Sequence, residues 1–441
     1  MTMLRLAAAA LIACFSISSN ARAVPAFADQ TGLQCSKCHV GAFGPQLTPV
    51  GRAFKLGGYT LRTNSDAVPV AAMAIASFLN TQKDQPAPPA KNFATNDNVA
   101  LDQLSLFLAG GVGDHFGGFS QFTYDGVGKS FGWDNLDLRA VNTTKLFDAD
   151  TTYGLSLNNN PGVQDVWATL PAWGFPFTSS ALAPAPAAAP LLDGTFAQNV
   201  VGLSAYVWWD NSLYAEAGLY RSLSKGMLRF LGADPEGTDL INGVAPYFRI
   251  AYQRDQGPND FQVGAFALLA HAFPGRDESV QTTDQLRDFG ADASYQFDKD
   301  KNLVTANARF IHEDQDLNAS KLLGLSTNRS DSLNEMTLDA SYYWDNTIGF
   351  TISHFQSWGS RDGLLYAPNR TFKPDSGGFI FQIDGTPWGK DASPYGIWVN
   401  LRAGLQYTAY TQFDGASTNY DGMGTNASAN NTLRLFLWLA F

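Results

Sequence analysis

From about Ala67 to the last residue, apolar and polar positions alternate with a period of two in runs of roughly ten residues, the pattern of strands whose two faces meet different environments. In Phe289-Gly290-Ala291-Asp292-Ala293-Ser294-Tyr295-Gln296-Phe297 each odd position is apolar or aromatic and each even one is glycine or polar. Between positions 401 and 413, Leu401, Ala403, Leu405, Tyr407, Ala409 and Phe413 oppose Arg402, Gly404, Gln406, Thr408, Tyr410 and Gln412. Met336 to Trp344 and Leu213 to Leu219 repeat the rhythm, and turns rich in Asp, Asn and Gly separate the runs. The spacing predicts strands near 68–79, 100–112, 116–125, 134–143, 150–158, 198–208, 212–222, 245–255, 260–272, 286–297, 302–312, 333–344, 347–358, 375–384, 396–413 and 431–441, which makes 16.

Alternation also fits a soluble sandwich, so the choice rests on further features. The chain ends Leu433-Arg434-Leu435-Phe436-Leu437-Trp438-Leu439-Ala440-Phe441, resembling the C-terminal assembly signal of outer-membrane proteins. Aromatics gather at strand ends, as Trp344 before Asp345-Asn346 and Trp208-Trp209 before Asp210-Asn211, where interfacial girdles belong. Short turns alternate with long loops, and an even strand count places both termini on the short-turn, periplasmic side. Charged residues are only 16% and aromatics reach 13%, so something other than charge covers the surface. A helical membrane protein is excluded, because Ala181 to Leu192 is broken by prolines and the one clean apolar run lies at the N-terminus. The expected fold is all-β: a transmembrane antiparallel outer-membrane β-barrel of about 16 strands over 67–441. Its longest loop, Asn159 to Phe196, exceeds what a connector needs and is expected to fold into the lumen.

The N-terminal part follows other rules. Residues 1–23 read as a secretory signal, with Arg5, an apolar stretch Leu6 to Ile17 and the small-residue pattern Ala21-Arg22-Ala23. Cleavage there takes the formal charge from -11 to about -13, which argues against a nucleic-acid partner. It also leaves Cys35 and Cys38, for which an oxidising compartment would make a disulfide the default. The following His39 changes that reading, since Cys35-Ser36-Lys37-Cys38-His39 is the attachment pattern of haem c. Two thiols at this spacing can form thioethers to one haem, and the adjacent imidazole becomes the proximal iron ligand.

The segment 24–66 is below the size at which an apolar core supports a fold alone. It reads as a small α-helical c-type cytochrome module, with a short helix started near Thr48-Pro49 and ended by Gly57-Gly58, leaning on the barrel. No methionine or second histidine lies between His39 and Asp66, so a sixth ligand must come from elsewhere. The first strand is apolar on both faces, with Ala71, Met73, Ile75 and Leu79 on one of them, so its lumen face is expected to pack on the module. Met73 is the candidate distal ligand and His115, in the Gly113-Asp114-His115 turn, the alternative; a packing role for Met73 and an open iron are the other readings.

A haem module fused to a barrel resembles the fused monohaem cytochrome-porin family of outer-membrane iron oxidases. The resemblance is most specific at Val24-Pro25-Ala26-Phe27-Ala28 with Gln30-Thr31-Gly32, at the haem motif, from Pro45-Gln46-Leu47-Thr48-Pro49 to Tyr59, and at Phe122-Thr123-Tyr124-Asp125-Gly126. It implies that Cys35 and Cys38 hold the haem and His39 its iron, and that electrons pass from an extracellular donor, Fe(II), to a periplasmic cytochrome or other soluble carrier. Asp137, Glu216, Asp292, Asp339 and Asp384, all expected on the lumen face, are either solvated wall residues or a field that concentrates a divalent cation. Two other functional classes remain open at this point: a diffusion porin gated or plugged by its haem domain, and a haem-based redox sensor.

Overall fold

The structure, a computed structural model, describes residues 26–42, 44–64, 69–170, 172–236, 238–389, 394 and 399–441. The expected signal segment 1–23, Val68 and the expected module boundary at 66/67 lie outside these residues.

The described strands form one sheet that closes on itself. In chain order they are β1 (Val70–Thr81), β2 (Asn98–Val112), β3 (Phe116–Asp125), β4 (Ser130–Leu146), β5 (Ala149–Asn158), β6 (Val200–Trp209), β7 (Leu213–Ser222), β8 (Leu240–Ile241), β9 (Ala245–Gln256), β10 (Asn259–Phe273), β11 (Asp284–Lys299), β12 (Asn302–Asp316), β13 (Ser330–Trp344), β14 (Ile348–Gly359), β15 (Ser376–Gly385), β16 (Asn400–Gln412) and β17 (Thr432–Ala440). β8 is a two-residue strip against the end of β10, while β7 pairs directly with β9. The wall is therefore a closed barrel of 16 antiparallel strands, as the alternation predicts. β1 pairs with both β2 and β17, and main-chain bonds of 2.5 and 2.8 Å between Ala72 and Phe441 complete the seam.

Burial is inverted relative to a water-soluble domain. Gln121, Ser156, Asn158 and Thr305 are fully buried on the lumen side, whereas Leu106, Ile250 and Ile352 stand exposed on the outer side. An exterior so continuously apolar is stable against hydrocarbon and not against water, and closure leaves no strand edge unsatisfied. The chain is built as an outer-membrane barrel. It should require detergent for extraction and migrate faster on a gel unheated than boiled; recovery as a soluble periplasmic protein would contradict this assignment.

Two sequence-level expectations need correction. Of the Trp208-Trp209 pair only Trp209 lies on the outward parity, and Trp208 is buried in the lumen with Tyr206 and Tyr214. Loop lengths follow the expected alternation except at 126–129, a short turn on the long-loop end, and at 386–399, a long connection on the short-turn end.

The lumen holds a plug and a crossing segment, with cavities of about 320 and 600 Å³ left beside them. Helices α1 (Ala26–Thr31), α2 (Cys35–Cys38) and α3 (Pro49–Leu56) sit inside it near the short-turn end. Arg52 pairs there with Asp260 at the start of β10, and the carbonyl oxygens of Gly41 and Leu56 accept from Arg402 (2.6 Å) and from the Tyr206 hydroxyl (2.6 Å). The chain after α3 lies directly on the backbone of β2 and β3, where Gly111 and Gly117 face each other in register. A Cβ at Gly117 would stand 2.3 Å from Gly58 O, so only glycine lets the plug seat.

The segment 159–199, carrying α4 (Pro161–Gln164), crosses the lumen above the plug, as its length predicts. Trp167 packs on Tyr206, Trp208 and Tyr214 and donates its indole N–H to Gln253 (2.7 Å). Further along, Leu192 N donates to Asp288 (2.7 Å), the Thr178 hydroxyl meets Arg434 (3.1 Å), and Pro184 O accepts from Tyr410 (2.7 Å).

Candidate functional site

The haem motif is held by a short network that its own sequence dictates. Cys35 to Cys38 make a single helical turn, which projects residues i and i+3 to one side, and His39 N closes it on Cys35 O at 2.8 Å. Thr48 caps α3 by accepting from Gly51 N, Pro49 supplies the first helical φ, and the Thr48 hydroxyl donates to Lys37 O at 2.6 Å. Gly51 is the point of closest approach: a Cβ there would lie 2.2 Å from Cys38 O, so α3 rests on the motif backbone itself. Phe27, Phe54 and Tyr59 form one aromatic cluster, with Phe27 5.1 Å from each of the other two rings. Tyr59 then reaches the wall, donating to Asp137 at 2.6 Å.

Between these elements and the wall lies a mostly apolar cavity of about 310 Å³. Cys35, Cys38, His39 and Met73 all line it, together with Trp173 of the crossing segment and Trp438 of β17. Met73 faces inward, as the parity of β1 predicts, in a cluster with Ile75, Phe436 and Trp438 against which Cys35 packs. His115 is elsewhere: it is exposed in the β2–β3 turn, its ring bonded to Val141 O at 3.1 Å, and it does not line the cavity.

The donor set fits a haem c. The two cysteines are free thiols, not a disulfide, and burial raises the Cys35 thiol to about 11 and Cys38 as well, so both remain protonated. Burial, reinforced by the Arg402 charge and only partly offset by a backbone contact from Gly44, lowers His39 to about 4. The imidazole is therefore neutral, the state in which it ligates a metal, and its buried Nδ1 has no hydrogen-bond partner. The surrounding aromatic and aliphatic wall would exclude water from a flat apolar ring system.

All five acids expected on the lumen face point into the barrel, but not as a free negative field. Asp137 pairs with Arg139 (2.9 Å), Asp292 with Arg249 (2.5 Å) and Asp384 with Arg402 (3.3 Å). Asp339 accepts from Asn307 (2.7 Å), and Glu216 from the Tyr214 hydroxyl (2.9 Å). These pairs brace the wall, the plug and the crossing segment, and Arg249 is shared between Asp292 of β11 and Asp165 of the crossing segment. Among the described residues no group of three or more His, Cys, Asp or Glu is arranged to hold a metal ion. The arginines are what the sequence reading overlooked. Their signal was present, since Arg249 and Arg402 occupy the same inward parity as Gln253 and Gln406.

No protein-family model matches this chain, and no curated protein matches it. Among solved structures it is similar to OmpT, an outer membrane protein of Vibrio cholerae, at 10% identity and a TM-score of 0.45, covering 86% of this chain and 99% of that one. The outer membrane channel DcaP of Acinetobacter baumannii aligns at 11% identity and a TM-score of 0.45, covering 85% and 97%. An anion-selective porin from Comamonas acidovorans aligns at 12% identity and a TM-score of 0.43, covering 84% and 99%.

Proposed function

We propose that this outer-membrane barrel is an electron conduit of the fused cytochrome-porin type, taking electrons from an extracellular donor, Fe(II), and delivering them to a periplasmic cytochrome or similar soluble carrier. The observation that carries the reading is the placement of Cys35, Cys38 and His39 together on one apolar cavity inside a barrel whose lumen also holds the plug and the crossing segment. Cys35 and Cys38 would hold a haem c covalently, and His39 would ligate its iron. When bound, that group would supply a reversible one-electron centre.

The chain's own residues do the rest. Trp173, Trp438, Phe27 and Phe54 keep the cavity dry, and a low dielectric with neutral ligands favours a raised potential, as suits a centre fed by a weak reductant. The plug and the crossing segment, pinned by Arg52–Asp260 and by Arg249 with Asp165 and Asp292, obstruct diffusion of solutes and so keep ferric product outside while electrons pass. This filling weighs against the free-diffusion reading.

Mixing Fe(II) with the purified protein tests the proposal. The expected result is a reduced c-type spectrum that decays when an oxidised soluble cytochrome is added. A ligand-dependent spectral change without electron throughput would favour a sensor, and absence of a covalent haem would end the reading. Met73 is the candidate distal ligand, since it shares the cavity with the motif. Met73→Ala is expected to alter the ferric spectrum and lower the midpoint potential, because thioether ligation raises it; an unchanged spectrum and midpoint would leave Met73 a packing residue.

A further inference from the structure

Among the described residues the six buried arginines each have a carboxylate partner: Arg52 with Asp260, Arg139 with Asp137, Arg249 with Asp292, Arg309 with Glu335, Arg402 with Asp384 and Arg434 with Asp102. Lys55 on α3 is different. It is the cationic side chain that lines the apolar cavity, and among the described residues it has no ion-pair partner. An ammonium carries three N–H donors. Two of them are directed at main-chain oxygens of the crossing segment, Val163 O and Asp165 O, which are neutral acceptors. One donor is left without a hydrogen-bond partner beside the cavity, and the carboxylates of Asp137, Asp165 and Glu216 act on the charge only from beyond ion-pair distance, so a closer anion would be favoured.

We propose that Lys55 is the anion anchor of the cavity, pairing with a propionate carboxylate of the haem and thereby fixing which edge of the ring meets the crossing segment. The inference rests on the haem reading above. It is supported by chemistry: a haem is apolar except for its two carboxylates, and the cavity is apolar apart from a few polar groups, among which Lys55 is the cation and Asp165 an acid already held by Arg249 and main-chain donors. Burial lowers Lys55 to about 8, which still leaves it mostly charged at pH 7. Through the same side chain the haem edge becomes linked to Val163 and Asp165, and through Asp165 to Arg249 on β9.

Lys55→Gln and Lys55→Arg separate charge from hydrogen bonding. Gln keeps a donor for the main-chain oxygens and loses the charge; Arg keeps both. A cation near the ring stabilises the reduced, more negative state. Lys55→Gln should therefore shift the midpoint potential downward and move the propionate-bending band in the resonance Raman spectrum, with Lys55→Arg restoring both toward the wild type. If Lys55→Gln carries covalent haem with the wild-type midpoint and band, Lys55 only fastens the crossing segment and the proposal is overturned. If the wild-type protein carries no covalent haem, it is the haem reading that has failed, so the two failures are distinguishable. Unheated gel mobility reports that the variant barrels are folded.

Discussion

Cys38→Ala should yield a barrel that assembles normally yet retains no covalent haem after denaturation and no Fe(II)-dependent reduction above the haem-free level. The two thioethers and the iron ligand are separate needs met by adjacent residues, and none can be supplied by another part of the plug, since among the described residues Cys35 and Cys38 are the free cysteines. The stability consequence is local. Leaving the cavity of about 310 Å³ unfilled removes the apolar contacts that would join the plug elements lining it. The plug should therefore loosen while the wall, held by its own ladder, does not. Limited proteolysis from the periplasmic side would show this as new cleavage within residues 26–64 and none in the strands. A variant that still accepts electrons at the wild-type rate would take the haem off the path.

Gly117→Val is the second large effect, and it acts on transport. The added Cβ would fall 2.3 Å from Gly58 O and 3.1 Å from Gly110 O, both main-chain atoms that cannot rotate away. Either the plug lifts or the β2–β3 wall bends, and the wall is tied on both sides by pairing to β1 and β4, each ladder interrupted by one register shift. Overpacking of this kind costs about 1–3 kcal/mol where neighbours can adjust and more where they cannot. The expected outcome is a protein that leaks small solutes in liposomes, whereas the wild type holds them. Gly226→Ala, at an open position with nothing within 4 Å, serves as the control. A tight Gly117→Val barrel would mean that the crossing segment alone closes the lumen.

Much of this architecture was legible because lipid and lumen are opposite solvents, so each strand declares its two faces within a period of two. The 16 expected strands match the 16 of the wall within a few residues at their ends, and the apolar lumen face of β1 was readable as a contact before its partner was known. The proposed haem motif could be named from the sequence because the chemistry it implies is local, five consecutive residues. What parity does not give is height in the barrel or the identity of the neighbour across the lumen. Tyr59 and Asp137 are 78 positions apart, Arg52 and Asp260 208 apart, and nothing in either local sequence marks them as partners. For that reason Asp137, Asp292 and Asp384 could be placed on the correct face but not recognised as paired. Lys55 lies in the last turn of α3, where nothing in the local sequence marks it, and the role proposed for it comes only from the cavity. Trp208 was misplaced for a simpler reason, since adjacent tryptophans on one strand must face opposite sides.

The central claim is that one haem in the plug connects two sides of a membrane, and sidedness is what tests it. Proteoliposomes containing the oriented protein and an oxidised soluble cytochrome inside should be supplied with Fe(II) outside, with the spectrum of the enclosed cytochrome followed. The account predicts reduction of the enclosed cytochrome while iron stays outside, and loss of that signal with Cys38→Ala. Reduction that persists in Cys38→Ala, or that occurs only when iron itself enters the vesicle, would contradict it.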